Sequence, residues 1–422
     1  MGGNGGTRVQ KACGYEDRTE DMVTYVTMLA GPQADEAKIR GYCEGSVGHF
    51  EWLVDKGIPF KDSELKERAI MALTDDCLLY TGSEKAWPFV KSARPCPRGH
   101  NLQIKGDRGG PLFTRIMVKN VHERGIRIEC EARALTLIAD QDDSVHGLVV
   151  RINGEEKTVR ARRGVILCAG GFVMNPAMMR RYAPDLADNV TPIGNSEDLG
   201  SGILMGLGVG AAAINMHECF VTLPFYPPSS LTYGIFVNDM AQRFINEDCY
   251  HGRVAAFARR QLGSRIYLVA NVEDHGDKVS YLGAPVAGTG ETIEELEEEL
   301  AFAPGSLSHT VQYYNDHAAR GEDPLFHKSA EWLKAIEPPY VALDCTPGRG
   351  AIYPCFTLGG LDTGVSGEAL TAEGEVIPGL YAAGRTACGI VRRGDGYSSG
   401  MSVGDATFSG RMAGKAAASR QL

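Results

Sequence analysis

The stretch GDGYSSGMSVGDATFSGRMAG, Gly394 to Gly414, places a tyrosine and two serines directly before a run of small residues that favours a helix. Two interpretations of this arrangement are open. In the first, Ser398 or Ser399 is the N-cap of the helix and accepts hydrogen bonds from its free backbone N–H groups. In the second, the positive end of the helix faces an electron-rich ligand, and Tyr397 and Ser399 extend over that ligand. The choice depends on the rest of the sequence.

The composition indicates a globular protein with an excess of glycine. Of the 422 residues, 43% are hydrophobic and 23% are charged, and a chain of this length has room for two or three domains. The 52 glycines exceed the usual share of about 7%. Many lie in clusters such as CAGGF and TLGGLDTG, where the backbone can approach a flat ligand or a neighbouring element.

The net charge and the lengths of the apolar runs argue against a nucleic-acid partner and against a membrane-spanning segment. A net charge of −10 argues against a basic face for nucleic acid. No apolar run reaches the length of a membrane-spanning helix, and no leader pattern comes before the first domain. We therefore expect no nucleic-acid partner, no integral membrane segment and a cytoplasmic location.

The histidines and cysteines show no spacing that indicates a metal site or a disulfide framework. The ten histidines form no ligand pattern, so no metal is expected. The eleven cysteines are irregularly spaced and include no C-x-x-C pair, which predicts reduced thiols. Cys168, inside the apolar segment GVILCAGG, is expected in the core.

Hydrophobic periodicity divides the chain into predicted elements. The first thirty residues are glycine-rich and polar. Helices are predicted in ADEAKIRGYCEGSVGHFEWLVDKG and in GGPLFTRIMVKNVHERG, because apolar residues recur there at helical spacing. Strands follow from IRIECEARALTLIAD to GVILCAGGF, with a hairpin turn at Asn153 and Gly154.

The pattern changes at about residue 213. A hairpin is predicted from YGIFVND to QRFINED, several helices follow, and glycine-rich strands return near residue 350. We expect one α/β domain in two parts, residues 1–212 and 351–422, interrupted by an inserted α+β domain at residues 213–350.

The last predicted strand and its sequel, IPGLYAAGRTACGI and GYSSGMSVGDATFSGRMAG, resemble the C-terminal FAD segment of the fumarate reductase and ketosteroid dehydrogenase flavoprotein superfamily. Five further segments are similar to that superfamily in the same order: GGTRVQKACGYED, RRGVILCAGGF, GIFVNDMAQRFINED, TVQYYNDHAARGEDPLFHK and FTLGGLDT. The resemblance covers essentially the whole chain. It implies a bipartite Rossmann-like FAD-binding domain with an inserted capping domain that contributes to the substrate site. It also implies FAD as cofactor and a flavin-dependent dehydrogenase that acts on CH–CH groups.

The resemblance assigns flavin contacts to two strand ends and to the start of the last helix. In the superfamily, the helix directs its N-terminus at the edge of the flavin that becomes anionic on reduction, which a positive helix end stabilises. For Gly170 and Gly171 the alternative is that they only end a strand. The residues expected to bind FAD are Ala169, Gly170, Gly171, Ala383, Gly384, Ser398, Gly400, Ser402 and Val403.

A few positions distinguish the substrates within the superfamily. Members that reduce dicarboxylates carry an arginine shortly after the hairpin and a histidine before the glycine pair that corresponds to Gly359 and Gly360. Here Tyr250 lies in the hairpin's sequel, Phe356 and Thr357 replace the histidine, and Arg253 is a displaced substitute for the arginine. The resemblance therefore implies a neutral, apolar, steroid-like ketone, with an external electron acceptor that the sequence does not identify.

The segments CEGSVGHFEWLVDKGIPFK, PRGH and YSSG are most similar to the Δ4-(5α)-3-ketosteroid dehydrogenase family. Its active-site tyrosines and serine correspond to Tyr250, Tyr397 and Ser399, which implies 4,5-dehydrogenation with hydride transfer to flavin N5. We expect Tyr397 and Ser399 to take up the proton and Tyr250 to orient the ketone, or the two tyrosines to exchange these roles. The alternatives within enzymes are 1(2)-dehydrogenation and an ene-reductase that resembles fumarate reductase.

FAD domains of this type begin with a strand and a G-x-G-x-x-G turn that binds the pyrophosphate. The segment GGNGG follows no predicted strand and does not match that motif. The expectation is that about fifty residues are missing before it. A non-catalytic, truncated fragment that binds steroid is therefore the alternative from a different functional class.

Overall fold

The computed structural model describes residues 5–69, 73–106, 108–142, 144–261, 263, 265–275, 283–349 and 351–421. Most of the glycine-rich start, residues 1–4, lies outside this range. The described residues combine helices and strands throughout, which confirms the α/β expectation.

The helices are distributed along the whole described chain. In chain order they are α1 (Arg8–Ala12), α2 (Thr19–Ala30), α3 (Glu36–Asp55), α4 (Gly109–Glu123), α5 (Pro176–Tyr182), α6 (Ser201–Leu207), α7 (His251–Ala258), α8 (Val272–His275), α9 (Ile293–Glu299), α10 (Ser306–Ala318) and α11 (Met401–Ser419). The predicted helices α3 and α4 are confirmed. Helix α2 lies in the part of the sequence that was expected to be only polar, and it buries Met22, Tyr25, Val26 and Leu29 on one face.

The strands form several small sheets. They are β1 (Leu78–Leu79), β2 (Gly99–His100), β3 (Ala132–Ala139), β4 (Val145–Ile152), β5 (Glu155–Arg160), β6 (Val165–Leu167), β7 (Thr191–Pro192), β8 (Ala213–Ile214), β9 (Cys219–Val221), β10 (Ile235–Val237), β11 (Tyr267–Asn271), β12 (Val286–Gly290), β13 (Tyr340–Asp344), β14 (Pro354–Thr357), β15 (Gly360–Leu361), β16 (Glu368–Leu370) and β17 (Val376–Ala382). The sheet orders are β1-β2, β3-β4-β5, β16-β17-β6, β7-β14-β9, β15-β8 and β10-β11-β13-β12.

The parallel pair β6 and β17 joins the two distant parts of the predicted FAD domain. Ala382 lies opposite Leu167 in this pair, so both strands end at the same edge. Helix α11 packs on the pair through small side chains, and Ala413 and Ala417 form a core cluster there with Tyr381 and Ala383. Small residues permit this close approach, which brings the start of α11 near the strand ends.

The three strands β3, β4 and β5 form the predicted meander. Asn153 and Gly154 have φ values of 53° and 84°, as expected for a two-residue turn with left-handed backbone at both positions. The first strand is shorter than predicted. It begins at Ala132, and Ile126 and Ile128 before it are exposed, so neither has the buried face that would hold it in the sheet.

The inserted part contains its own antiparallel sheet, β10-β11-β13-β12, with α9 and α10 packed on it. The first strand of the predicted hairpin forms as β10, but the second, QRFINED, forms only one bridge, between Val237 and Arg243. Arg243 instead forms buried ion pairs with Glu247 and Asp323 at 2.9 Å. The segment around it is therefore held by side-chain contacts and not by a regular strand pairing.

The pairing of β8 with β15 and of β9 with β14 connects residues soon after 213 to the C-terminal part. The boundaries at residues 212 and 350 remain a prediction.

The structure corrects the placement of Cys168. All eleven cysteines are free, but Cys168 is exposed. Leu167 points into the core, and successive side chains of a strand point to opposite faces, so Cys168 faces outward. Among the described residues, none of the helices combines the length and the apolarity that are needed to cross a bilayer.

The ion pairs of Arg243 give a test of the inserted part. Burial raises the pKa of Asp323, but hydrogen bonds and the charge of Arg243 outweigh it and leave the pKa below its ordinary value of 3.8. We expect Asp323→Asn to lower the free energy of unfolding at pH 7 by about 3 kcal/mol, because a buried arginine loses a charged partner. Urea denaturation, followed by tryptophan fluorescence, measures the change.

The ion-pair contribution of Asp323 is present above its unfolded pKa and is lost as the pH falls through the lower, folded pKa. The difference between wild type and Asp323→Asn should therefore narrow under acid conditions. Asp316→Asn in α10, where the side chain is exposed, is the matched control and should be neutral. If Asp323→Asn and Asp316→Asn lower the free energy of unfolding equally, the contribution assigned to the ion pair of Asp323 is contradicted.

Candidate active site

The start of α11 is built around a glycine. Gly400 is the N-cap with φ of 78°, and no side chain caps the helix. The interpretation of Ser398 or Ser399 as the N-cap is therefore wrong, because the left-handed turn at Gly400 carries the chain past both serines. Ser398 is fully buried, and its hydroxyl forms a hydrogen bond of 2.9 Å with that of Tyr25.

Tyr397 lies immediately before this turn, in a buried aromatic environment. Its ring centroid is 4.1 Å from that of Phe220 and 5.6 Å from that of Phe356. The backbone N–H of Ser402 donates to the Tyr397 hydroxyl at 3.3 Å. Burial raises the pKa of Tyr397 above its ordinary value of 10, so its hydroxyl is protonated at neutral pH and remains able to donate.

Tyr250 precedes α7 and faces the same cluster. Its ring centroid lies 6.0 Å from that of Tyr397 and 6.1 Å from that of Phe220. Burial raises the pKa of Tyr250 well above 10, and a hydrogen bond with the Ser399 side chain partly offsets this. The structure thus brings Tyr250, Tyr397 and Ser399 together, with the Ser399 side chain near the Tyr250 hydroxyl.

Two arginines lie near this aromatic cluster, formed by Phe220, Tyr250, Phe356 and Tyr397, and of these two only Arg385 has a carboxylate partner among the described residues. The guanidinium of Arg253 lies over the rings of Phe89 and Phe257 at 5.6 and 4.8 Å, and it donates to the Asp395 carbonyl oxygen at 3.4 Å. Arg385 lies 5.1 Å from the ring of Phe356 but forms an ion pair of 2.6 Å with Asp198. The cluster is therefore apolar and poorly suited to two carboxylates.

The expected flavin residues at the strand ends lie side by side. The N–H of Ala383 donates to the Leu167 carbonyl oxygen at 3.0 Å, which places Ala383 and Gly384 next to Ala169, Gly170 and Gly171. Gly170 has φ of 76°. A Cβ on Gly170 would collide with Asp198. A Cβ on Gly171 would collide with Thr357. Tight packing therefore also explains this glycine pair.

Two small cavities lie beside the start of α11. Both are lined by Gly384, Ala387, Gly389 and Asp405, and the smaller one also by Ser402. Their glycines and alanine offer a flat surface to an electron-rich ring next to a helix N-terminus, and larger side chains complete the walls. Gly400 is at the helix N-cap, while Val403 points outward with 46% of its surface exposed.

A wider cleft lies between residues 65–69 and 79–85 on one side and the predicted inserted domain on the other. It is lined by side chains from both parts, including Arg68, Glu84, Tyr226 and Trp332. The guanidinium of Arg68 lies 4.3 Å from the ring centroid of Tyr226 and donates to the carbonyl oxygens of Asp248 and Cys249. These contacts hold the chain directly before Tyr250.

Sequence reasoning missed several residues at the site. Tyr25 contacts Ser398, and the apolar spacing Met22, Tyr25, Val26 and Leu29 is a helical signal for its buried face. Phe220 packs against both tyrosines. The loop Thr81–Glu84 contacts Tyr250 and Ser399. No local pattern indicates these last contacts, because their partners are far away in the sequence.

Comparisons with known proteins agree with this geometry. Residues 5–399 match the family described as FAD binding domain. The chain is similar to the crystal structure of 3-ketosteroid-Δ4-(5α)-dehydrogenase from Rhodococcus jostii RHA1 in complex with 4-androstene-3,17-dione. The identity is 40%, the match covers 99% of this chain and 87% of that one, and the TM-score is 0.93. The expected resemblance is confirmed.

Two further relatives are more distant. NADH:acrylate oxidoreductase from Vibrio harveyi is 30% identical over 88% of this chain, which spans only 36% of that protein's length. The structure of 3-ketosteroid Δ1-dehydrogenase from Sterolibacterium denitrificans in complex with 1,4-androstadiene-3,17-dione is 20% identical, with a TM-score of 0.69. The match covers 99% of this chain and 91% of that one, and at this identity it shows the fold alone. The match over residues 5–399 confirms FAD as the cofactor, and the chain belongs to the FAD binding domain family.

Proposed function

We propose that the protein is a flavin-dependent dehydrogenase that introduces the 4,5 double bond into a saturated 3-ketosteroid. The observation that carries this proposal is the meeting of Tyr250, Tyr397 and Ser399 in one apolar cluster at the start of α11. The steroid-bound Rhodococcus structure, at 40% identity and a TM-score of 0.93, supports the same substrate class.

The residues that would hold FAD are those at the strand ends and at the start of α11. Gly384 and Ser402 line one cavity, where Gly384, Ala387 and Gly389 offer a flat surface for a planar ring. When bound, FAD accepts a hydride from the substrate at N5, a reaction that no side chain can perform. The remaining tasks, removal of a proton and stabilisation of the ketone oxygen, belong to the protein.

Tyr397 is suited to donate a hydrogen bond to the ketone oxygen. Its hydroxyl receives the Ser402 N–H and also interacts with the Ser402 side chain, so the proposal requires its proton to turn from Ser402 to the ketone oxygen. The donated N–H makes the phenol a stronger donor, while the raised pKa keeps it protonated at neutral pH. A donor fixed in an apolar site stabilises the negative charge that develops on this oxygen.

Ser399 and Tyr250 are suited to take up the proton next to the ketone. The pKa of Tyr250 lies well above 10 because of burial, so a stored phenolate is unfavourable at neutral pH. We therefore assign the step to the small phenolate fraction of Tyr250: Ser399 takes the proton next to the ketone as it passes its own to the Tyr250 phenolate, which becomes the neutral phenol. This is the second of the two allocations of the tyrosines that the sequence left open.

The apolar cluster argues against the alternative of an unsaturated dicarboxylic acid as substrate. Phe356 and Thr357 occupy the end of β14, where Thr357 accepts the N–H of Phe172 at 3.2 Å. Arg385 is paired with the Asp198 carboxylate, whereas Arg253 donates to the Asp395 backbone carbonyl and not to a carboxylate of the described residues. Of these two arginines, a substrate with two carboxylates would therefore meet at most one without a carboxylate partner to compensate its desolvation.

Replacement of Tyr397 by phenylalanine tests the catalytic assignment. We expect Tyr397→Phe to bind FAD with an unchanged absorbance spectrum and to lose about 100-fold in kcat, since one hydroxyl that moves or stabilises charge is removed. Steady-state oxidation of a saturated 3-ketosteroid with an artificial acceptor measures kcat. Tyr381→Phe, at a buried tyrosine in β17, is the matched control. Equal activity of the Tyr397 variant and wild type contradicts the assignment.

The substrate class is tested with the FAD-loaded protein. We expect oxidation of a 5α-saturated 3-ketosteroid to the 4-ene product, identified by NMR, and no measurable reduction of acrylate or fumarate, because the aromatic cluster at the start of α11 is apolar. A 1-ene product, or efficient reduction of either acid, would contradict the proposal. A colourless protein that takes up no FAD but binds steroid would instead indicate a non-catalytic binding fragment.

A further inference from the structure

The loop Thr81–Glu84 connects the two chain segments that carry Tyr250 and Ser399. We propose that this loop positions the two side chains relative to each other and that Glu84 is the positioning residue that fixes the shape of the loop. The inference rests on the proposed function, because it concerns the same two hydroxyls. It adds a structural element from a different part of the chain to the site.

The loop holds both the backbone and the ring of Tyr250. The N–H of Tyr250 donates to the Ser83 hydroxyl at 3.0 Å, in a buried contact that joins the inserted part to the loop. Gly82 has φ of 131°, and a Cβ at this position would collide with the ring of Tyr250. Two features therefore require glycine at position 82: its positive φ and the ring of Tyr250, which leaves no room for a Cβ.

The same loop holds the backbone of Ser399. The N–H of Ser399 donates to the Thr81 carbonyl oxygen at 3.1 Å, one residue from Gly82. The Ser399 side chain lies near the Tyr250 hydroxyl. Thr81 and Ser83, on either side of Gly82, therefore fix the backbones that carry the two hydroxyls between which the proton is proposed to move.

Glu84 determines the conformation of this loop. Its side chain is only 2% exposed. One carboxylate oxygen accepts the Thr81 N–H at 2.8 Å and also the Thr81 hydroxyl, and the other accepts the Gly82 N–H at 2.9 Å. Three donors on two oxygens require a carboxylate, because a glutamine amide would direct its NH₂ group at one of these donors.

The test measures backbone protection in the FAD-loaded, full-length protein by hydrogen exchange and mass spectrometry. We expect Glu84→Gln to raise exchange about tenfold in the segments around both Tyr250 and Ser399, because the loop loses its internal hydrogen bonds. Ser83→Ala should raise exchange around Tyr250 alone. Glu36→Gln and Ser92→Ala, at exposed positions, are the controls and should change neither segment.

The same variants are then compared in steady-state kinetics with the steroid. We expect Glu84→Gln and Ser83→Ala to lower kcat about tenfold with little change in KM, because misplacement of reacting groups slows the chemical step more than it weakens binding. Unchanged exchange at both segments in the two variants overturns the positioning role. Raised exchange with unchanged kcat also overturns it, whereas the proposed function is judged separately by Tyr397→Phe.

Discussion

The close approach of α11 to the parallel strands β6 and β17 is the constraint on which the site depends. Alanines of the helix pack against Tyr381 and Ala383 and face Gly367 and Gly384, so the helix lies close to the strands and its N-terminus reaches their carboxyl edge. Larger side chains would move the helix outward and remove the groove beside Gly384. The same constraint explains the left-handed turn at Gly400, because the chain must reverse tightly before it enters a helix held so close to the sheet.

The tyrosine hydroxyls of the aromatic cluster are buried and can still form hydrogen bonds with a ligand. Tyr250 and Tyr397 are both buried, yet each hydroxyl has an identified neighbour, Ser399 in one case and the Ser402 N–H in the other. Burial keeps both phenols neutral, and the phenylalanines between them exclude water. An apolar wall with a few oriented hydroxyls is the arrangement that a flat, neutral ketone needs, whereas a charged acid would lose its hydration there without compensation.

The sequence was sufficient for features that depend on neighbouring residues. The turn at Asn153 and Gly154, the amphipathic helix α3 and the small residues of α11 all follow from local patterns. The resemblance supplied Tyr250, Tyr397 and Ser399, but not their pairing, which depends on how the inserted part lies against α11. Cys168 was expected in the core because it lies in a hydrophobic run. The run alone does not show that its side chain points to the face opposite that of the buried Leu167. Contacts such as that of Ser83 with Tyr250 have no local signal, because only the folded chain brings them together.

The hydrogen bond between Tyr25 and Ser398 joins residues that are 373 positions apart. During synthesis this contact therefore cannot form before residue 398 has left the ribosome. Until then, α2 and the loop after it have no partner for part of their apolar surface. Contacts of such long range are formed slowly, because the entropy of closing a long loop precedes any gain from the contact. The nascent protein thus has an extended period in which chaperones and early cofactor capture would influence its yield.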